Sequence, residues 1–227
     1  MIIVTGDTHG IIDYSKIKNI VKKNILGKDD YLIIAGDFGA IWDEEELEND
    51  LSYYTRLPFT VLFVDGNHEN FDIINSYPIS IWNGGKVHVI KDNIIHLMRG
   101  QVYTIEDKTI FTFGGGTSID KYRRTEHISW WAEEIPSDEE FKEAKDNLLK
   151  YNNKVDYIIT HSIDTEALKN PLIYLCANKC KAYKDNIMLD YFEQNINYKH
   201  WYFGHYHVDG EINEKKTALY YDFYELE

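Results

Sequence analysis

Five times along the chain a short run of apolar, mostly β-branched or aromatic residues ends in a small polar block. That recurrence constrains the fold more than any other feature. Ile2-Ile3-Val4-Thr5 runs into Gly6-Asp7-Thr8-His9, and Tyr31 to Ala35 runs into Gly36-Asp37. Thr60 to Val64 precedes Gly66-Asn67-His68-Glu69, Val155 to Thr160 precedes His161, and His200 to Phe203 precedes Gly204-His205-Tyr206-His207. Short apolar runs without polar alternation read as strands buried on both faces. Helical patterns separate the first three. Residues 15–26 place Ile17, Ile20, Val21 and Ile25 on one stripe, with Ser15 as the expected cap. Asp43-x-x-Glu46 reads as a capping box ahead of Leu47, Leu51 and Tyr54. The order is β-α-β-α-β, with the polar blocks at the carboxyl ends of strands, where open parallel sheets place their ligand sites.

The middle of the chain changes character. From Lys86 to Phe113, apolar pieces broken by Lys91-Asp92-Asn93 and Glu106-Asp107-Lys108 predict antiparallel hairpins. Gly114 to Pro136 has no clear period and reads as a long functional loop, which carries Arg123, Arg124, His127, Trp130 and Trp131. Ser137-x-x-Glu140 is a capping box for a helix with Phe141, Ala144 and Leu148 on its apolar face. Helices are expected around 164–170 and 185–196, and the Tyr-rich tail from Ala218 predicts a last strand. No repeat, low-complexity tract or linker interrupts the sequence, so one domain over residues 1–227 is expected.

A net charge of -14 argues against a general nucleic-acid-coating role. No apolar run approaches the ~20 residues of a membrane span. Met1 leads directly into the first strand without a basic leader, so a cytoplasmic protein is expected. Cys176 and Cys180 then read as reduced thiols, their C-x3-C spacing lacking two further ligands for a metal site.

The blocks together supply Asp7, His9, Asp37, Asn67, His161, His205 and His207. The last two, separated by one residue, would point the same way on extended backbone. Imidazole, carboxylate and amide oxygen without thiolate suit Mn, Fe or Zn. Seven donors exceed the needs of one tetrahedral ion and suit two ions sharing a carboxylate, a pairing that clamps both oxygens of a phosphoryl transfer. Two dications against two aspartates leave positive charge for a phosphate, and lower the pKa of a bridging water so that hydroxide serves as nucleophile. His68 is then free to give a proton to the leaving group.

Asp7-x-His9, Gly36-Asp37, Gly66-Asn67-His68-Glu69, His161 and Gly204-His205-x-His207 resemble, block for block, the signature of calcineurin-like metallophosphoesterases, over residues 7–207. The resemblance implies an α/β fold, a four-layer α/β/β/α sandwich of two mixed sheets flanked by helices. It also implies a dinuclear centre of divalent or trivalent ions, manganese being favoured. Asp7, His9, Asp37 and His207 would hold the first ion, and Asp37, Asn67, His161 and His205 the second. His68 would be the catalytic proton donor or transition-state stabiliser. Gly6-Asp7-x-His9-Gly10 and Glu69 are further similar to serine/threonine phosphoprotein phosphatases. Those enzymes follow the second block with Asp-Arg-Gly, whereas Gly36-Asp37 continues as Phe38-Gly39-Ala40-Ile41-Trp42. The carboxylate that orients the histidine is missing at Ala40, and the phosphate-gripping arginine is missing beside it. Arg123 or Arg124 is the expected replacement.

The expected activity is therefore hydrolysis of a phosphate mono- or diester. A small phosphate or nucleotide is favoured as substrate over a phosphoprotein or a long nucleic acid. His127, Trp130 and Trp131 could stack a base or simply anchor their loop. The competing reading is a catalytically silent scaffold that keeps the fold to bind a protein partner. A Cys180-dependent enzyme is a weaker third reading, because no His-rich context surrounds that residue. Oligomeric state is not legible in the sequence.

Overall fold

In the computed structural model, residues 1–23, 25–176 and 181–227 are described. The chain runs β1 (Ile2–Thr5), α1 (Ser15–Lys22), β2 (Tyr31–Ala35), α2 (Leu47–Thr55), β3 (Thr60–Val64) and α3 (Phe71–Ile74). Five strands follow: β4 (Ile79–Trp82), β5 (Gly85–Lys91), β6 (Ile94–Leu97), β7 (Gln101–Ile105) and β8 (Lys108–Phe113). The second half comprises α4 (Asp138–Lys150), β9 (Tyr157–Thr160), α5 (Pro171–Cys176), α6 (Lys184–Asn195), β10 (His200–Phe203), β11 (Gly210–Asn213), β12 (Lys216–Ala218) and β13 (Phe223–Glu225).

Among the described residues the strands form two mixed sheets, in the order β13-β1-β2-β3-β6-β5-β4 and β11-β12-β10-β9-β8-β7. β1, β2, β3 and β6 are parallel, with Val4 beside Ile33 and Ile33 beside Leu62. In the second sheet β8, β9, β10 and β12 are parallel, with Phe203 beside Thr160. Three separate apolar cores account for four layers. Alternate residues of one strand serve different cores: Ile3, Ile34 and Phe63 pack with Ile17, Ile20, Leu51 and Tyr54. Val4, Ile33 and Leu62 pack between the sheets with Ile110, Ile159 and Tyr202. On the far side, Phe111, Phe113, Ile158 and Phe203 meet Ala144, Leu148, Leu189 and Phe192. This is why β1, β2, β3, β9 and β10 lack polar alternation: nearly every residue of each is buried. The fold is the α/β sandwich of two mixed sheets with helices.

Several boundaries differ from the sequence reading. Ser15 is the first residue of α1 rather than its cap, the cap position belonging to Tyr14 without a side-chain bond. α1 also stops at Lys22. Asp43 and Glu46 make no capping box. Asp43 Oδ1 accepts from Glu45 N, an Asx-type turn that competes with the cap geometry. The Ser137 box forms as expected, with Ser137 Oγ accepting from Glu140 N (3.1 Å) and Glu140 Oε2 from Ser137 N (2.7 Å). The helix expected near 164–170 is a short 3-10 turn, Ala167–Lys169, ahead of α5. Cys180 lies outside the described residues, and of Cys176 only its place at the end of α5 is described. No helix among the described residues is long and apolar enough to cross a membrane.

Candidate metal centre

The blocks after β1, β2, β3, β9 and β10 converge at one end of the sandwich. His9, Asp37, His205 and His207 all have left-handed backbone, at φ 44°, 46°, 69° and 53°. Non-glycine residues rarely adopt this region, and clusters of them mark sites where the surrounding structure holds a costly conformation. It corrects the expectation of extended backbone at the histidine pair: His205 and His207 turn to different neighbours. His207 Nε2 lies 3.2 Å from Asp7 Oδ2, whereas His205 Nδ1 lies 3.1 Å from His161 Nε2.

Two donor groups result. Asp7, His9, Asp37 and His207 each offer a ligand atom, all within 4.8 Å of one another. Around His161 Nε2 stand Asn67 Oδ1 at 3.1 Å, His205 Nδ1 at 3.1 Å and Asp37 Oδ1 at 3.3 Å. Asp37 belongs to both groups. Its Oδ1 faces His161, and its Oδ2 lies 3.4 Å from His9 Nε2. The glycines ahead of the ligands are needed for this closeness. A Cβ at Gly36 would lie 2.0 Å from His161 Nδ1, and one at Gly204 would lie 2.1 Å from Asp7 Oδ1.

Neighbours outside the two groups aim the donors inward. His161 Nδ1 donates to Ala35 O (3.0 Å), leaving the Nε2 lone pair for the cluster. His9 Nδ1 donates to Asp13 Oδ2 (2.7 Å), the carboxylate–histidine pairing common behind metal ligands. Asn67 Nδ2 donates to Ser118 Oγ (3.2 Å), which turns its carbonyl oxygen towards His161. With the rings neutral, the inward atoms are acceptors facing acceptors, and a cation satisfies them together. Oxygen and imidazole donors without sulfur fit a hard or borderline divalent ion. Buried Glu69 ties the second and third blocks by accepting from Phe38 N (2.7 Å) and Gly39 N (3.2 Å). Asp13 and Ser118 went unnoticed in the sequence, where neither stands in a block. The only signal for Asp13 is its place four residues after His9.

Charge reinforces the geometry. Burial opposes ionisation of Asp37, but His161 and His9 beside it hold its carboxyl well below the usual range. Burial likewise works against Asp7, which His207 and His161 keep low. Against their own burial, the aspartates raise His161 to about 10 and His9 to about 9. His205 is pushed down to about 4 by burial and by His161. Burial also lowers His68, with Arg124 adding to the effect and Asp37 opposing it.

A cavity of about 800 Å³ opens over this cluster, lined on one wall by Asn67, His68, Ser118 and Arg124. Arg124 lies across the His68 ring, Nη1 to Nδ1 and Nη2 to Nε2 both 3.4 Å, and is anchored by Asp120 (Nε to Oδ1, 2.9 Å). Ala40, where related phosphatases carry a carboxylate, is fully buried. Arg123 is brought elsewhere: it is exposed, over the Tyr122 ring, and does not line the cavity. Nor do the tryptophans. Trp131 is buried, with Nε1 donating to Asp72 Oδ2 (2.7 Å), and exposed His127 shares that carboxylate. They anchor the loop. The lining also includes residues absent from the sequence reading, Tyr183 and Asp185 among them.

Strand-end carboxylates and imidazoles gathered at one end of a double-sheet α/β sandwich define a metal-binding hydrolase architecture. The sequence model of the calcineurin-like phosphoesterases matches residues 1–209, and the chain belongs to that family, whose members are phosphoester hydrolases that use divalent metals. A search of curated proteins finds no match.

Proposed function

We propose that the protein is a metal-dependent phosphoester hydrolase with a dinuclear centre. The observation that carries this reading is Asp37, whose two carboxylate oxygens face two different donor groups. Asp7, His9, Asp37 and His207 would hold one ion, and Asp37, Asn67, His161 and His205 the other, with Mn favoured over Fe or Zn. Bound there, such ions supply Lewis acidity towards a phosphoryl oxygen and activation of water near neutral pH.

The chain's own groups do the rest. Arg124 faces the cavity and offers a planar guanidinium to phosphate oxygens, in place of the arginine that the second block lacks. His68 stands between Arg124 and the Asp37 block, with its backbone N–H on Asp37 Oδ1 (2.7 Å). From there its ring can hand a proton to the leaving oxygen or hydrogen-bond the transition state. Burial, with Arg124 adding to it, lowers His68, so the protonated ring is a stronger acid than a free imidazolium. The cavity has room for a small phosphate or a nucleotide beside the donor cluster.

The test is hydrolysis of p-nitrophenyl phosphate and bis(p-nitrophenyl) phosphate after chelation and Mn²⁺ reloading, with Asp37→Asn as control. The wild-type protein should turn over at least one ester only when reloaded. Asp37→Asn should lose both ions by elemental analysis and nearly all turnover. Stoichiometric metal without turnover on any phosphoester would support the scaffold reading instead.

A further inference from the structure

The cavity continues past the donor cluster to the start of α6, where Asp185 is only 2% exposed yet lines it. Asp185 Oδ1 accepts from Thr117 Oγ1 (2.6 Å), while Oδ2 has no hydrogen-bond or ion-pair partner among the described residues. Oδ2, with no donor among them, is the edge of this carboxylate that is open to the cavity, and an N-terminal helix position explains only part of its presence. The donors beside it are engaged elsewhere. The Asn186 amide nitrogen is spent on Ser162 Oγ and Ile163 O, both at 2.8 Å, and its oxygen on Tyr183 N. The Lys181 ammonium lies over the Tyr183 ring, 5.7 Å from its centroid, and forms no ion pair with Asp185.

The segment 116–118 places this carboxylate beside the proposed ions. A Cβ at Gly116 would lie 3.0 Å from the His161 ring and 3.4 Å from both Asn67 Oδ1 and the His205 ring. Thr117, next in the chain, bonds Asp185, and Ser118 after it bonds Asn67. An anion does not seat against Asp185, so the phosphoryl group belongs at the Arg124 and His68 end, and the rest of a substrate belongs here. Ile119, Leu168 and Tyr183 supply apolar contact around it.

We infer that Asp185 Oδ2 is a specificity-determining acceptor for a hydroxyl or ammonium donor on the alcohol part of the phosphoester. The inference rests on the proposed hydrolase reading and deepens it. It names the substrate class as esters of polyols, sugars or amino alcohols rather than of plain alkyl or aryl alcohols.

The experiment uses Mn²⁺-loaded protein and two matched pairs, glycerol 3-phosphate against propyl phosphate and ethanolamine phosphate against ethyl phosphate. The readout is the ratio of kcat/KM within each pair, or of Kd where a compound is not turned over. Wild type should prefer the donor-bearing member of one pair by about 10- to 100-fold, as expected for a hydrogen bond to a buried charge. The preferred pair distinguishes hydroxyl from ammonium. Asp185→Asn keeps an oxygen for Thr117 but turns an N–H into the cavity, and should bring the ratio close to one. Thr117→Val, which removes only the Oδ1 bond, should keep the ratio. A wild-type ratio near one, or Thr117→Val matching Asp185→Asn, overturns the inference while leaving phosphoester hydrolysis standing. Metal-loaded protein that neither binds nor hydrolyses any of the four overturns the inference, and overturns the hydrolase reading too if p-nitrophenyl phosphate and bis(p-nitrophenyl) phosphate also stay intact.

Discussion

His9 and His161 each spend one ring N–H on a fixed acceptor, Asp13 and Ala35 O, and aim the other nitrogen at Asp37. Without metal, both rings hold a second proton at pH 7, because their pKa values of about 9 and about 10 lie above it. Ligation requires the neutral ring, so each proton must leave as an ion enters. Raising the pH removes that competition. Apparent Mn²⁺ affinity should therefore climb up to about tenfold per pH unit for each proton displaced between pH 6 and 8. Calorimetry in buffers of different ionisation heat should register the release, and a flat affinity would contradict it. At the substrate end, His68→Ala should keep its metal and slow turnover by roughly 10²–10⁴-fold on an unactivated ester. Arg124→Ala should lower kcat/KM by about tenfold or more, as loss of a charge-assisted phosphate contact does. Equal losses from Arg123→Ala would contradict its exposed placement away from the cavity.

At the scale of elements, each strand delivers its block through a turn that only certain residues permit. β1, β2 and β3 were legible to the residue, because both faces of each are buried and the apolar run ends where the backbone leaves the sheet. The Ser137 cap was legible for the same local reason, and the Asp43 cap was misread because an aspartate's own turn satisfies it first. Gly204 links β10 to the centre. Gly204→Ala should therefore strip metal from the protein, measured by elemental analysis, while far-UV circular dichroism keeps its shape. Full metal content in that variant would mean that the 2.1 Å approach to Asp7 relaxes freely.

For the molecule as a whole, the site exists because two sheets meet. β1 to β3 bring Asp7, His9, Asp37, Asn67 and His68, and β9 and β10 bring the three remaining histidines across the central core. A second buried polar chain stabilises that assembly away from the site. His88 and His96 are cross-strand neighbours on β5 and β6, joined through Nδ1 at 3.1 Å, and His96 Nε2 reaches Asp65, which Arg99 grips. Burial, together with His96, pushes His88 down to about 4. Below the ordinary value of about 6.5 the unfolded chain takes a proton there that the folded protein refuses. This contribution is present above pH 6.5 and is lost as pH falls towards 4, at up to about 1.4 kcal/mol per pH unit. Urea unfolding at pH 7, 5.5 and 4.5 should show a shallower decline for His88→Asn than for wild type. Parallel declines would assign the acid sensitivity to other groups.

The amino-acid order by itself determined the strands, their blocks and the donor chemistry, because burial period, glycine placement and side-chain type are local properties. It could not say that Arg124 rather than Arg123 faces His68, or that Trp131 is an anchor. Those outcomes depend on contacts between segments far apart in the chain: 56 residues separate Arg124 from His68, and 68 separate Thr117 from Asp185. Packing of the helices and loops onto two closed sheets decides such contacts, and no local pattern encodes where a side chain lands once that closure is made.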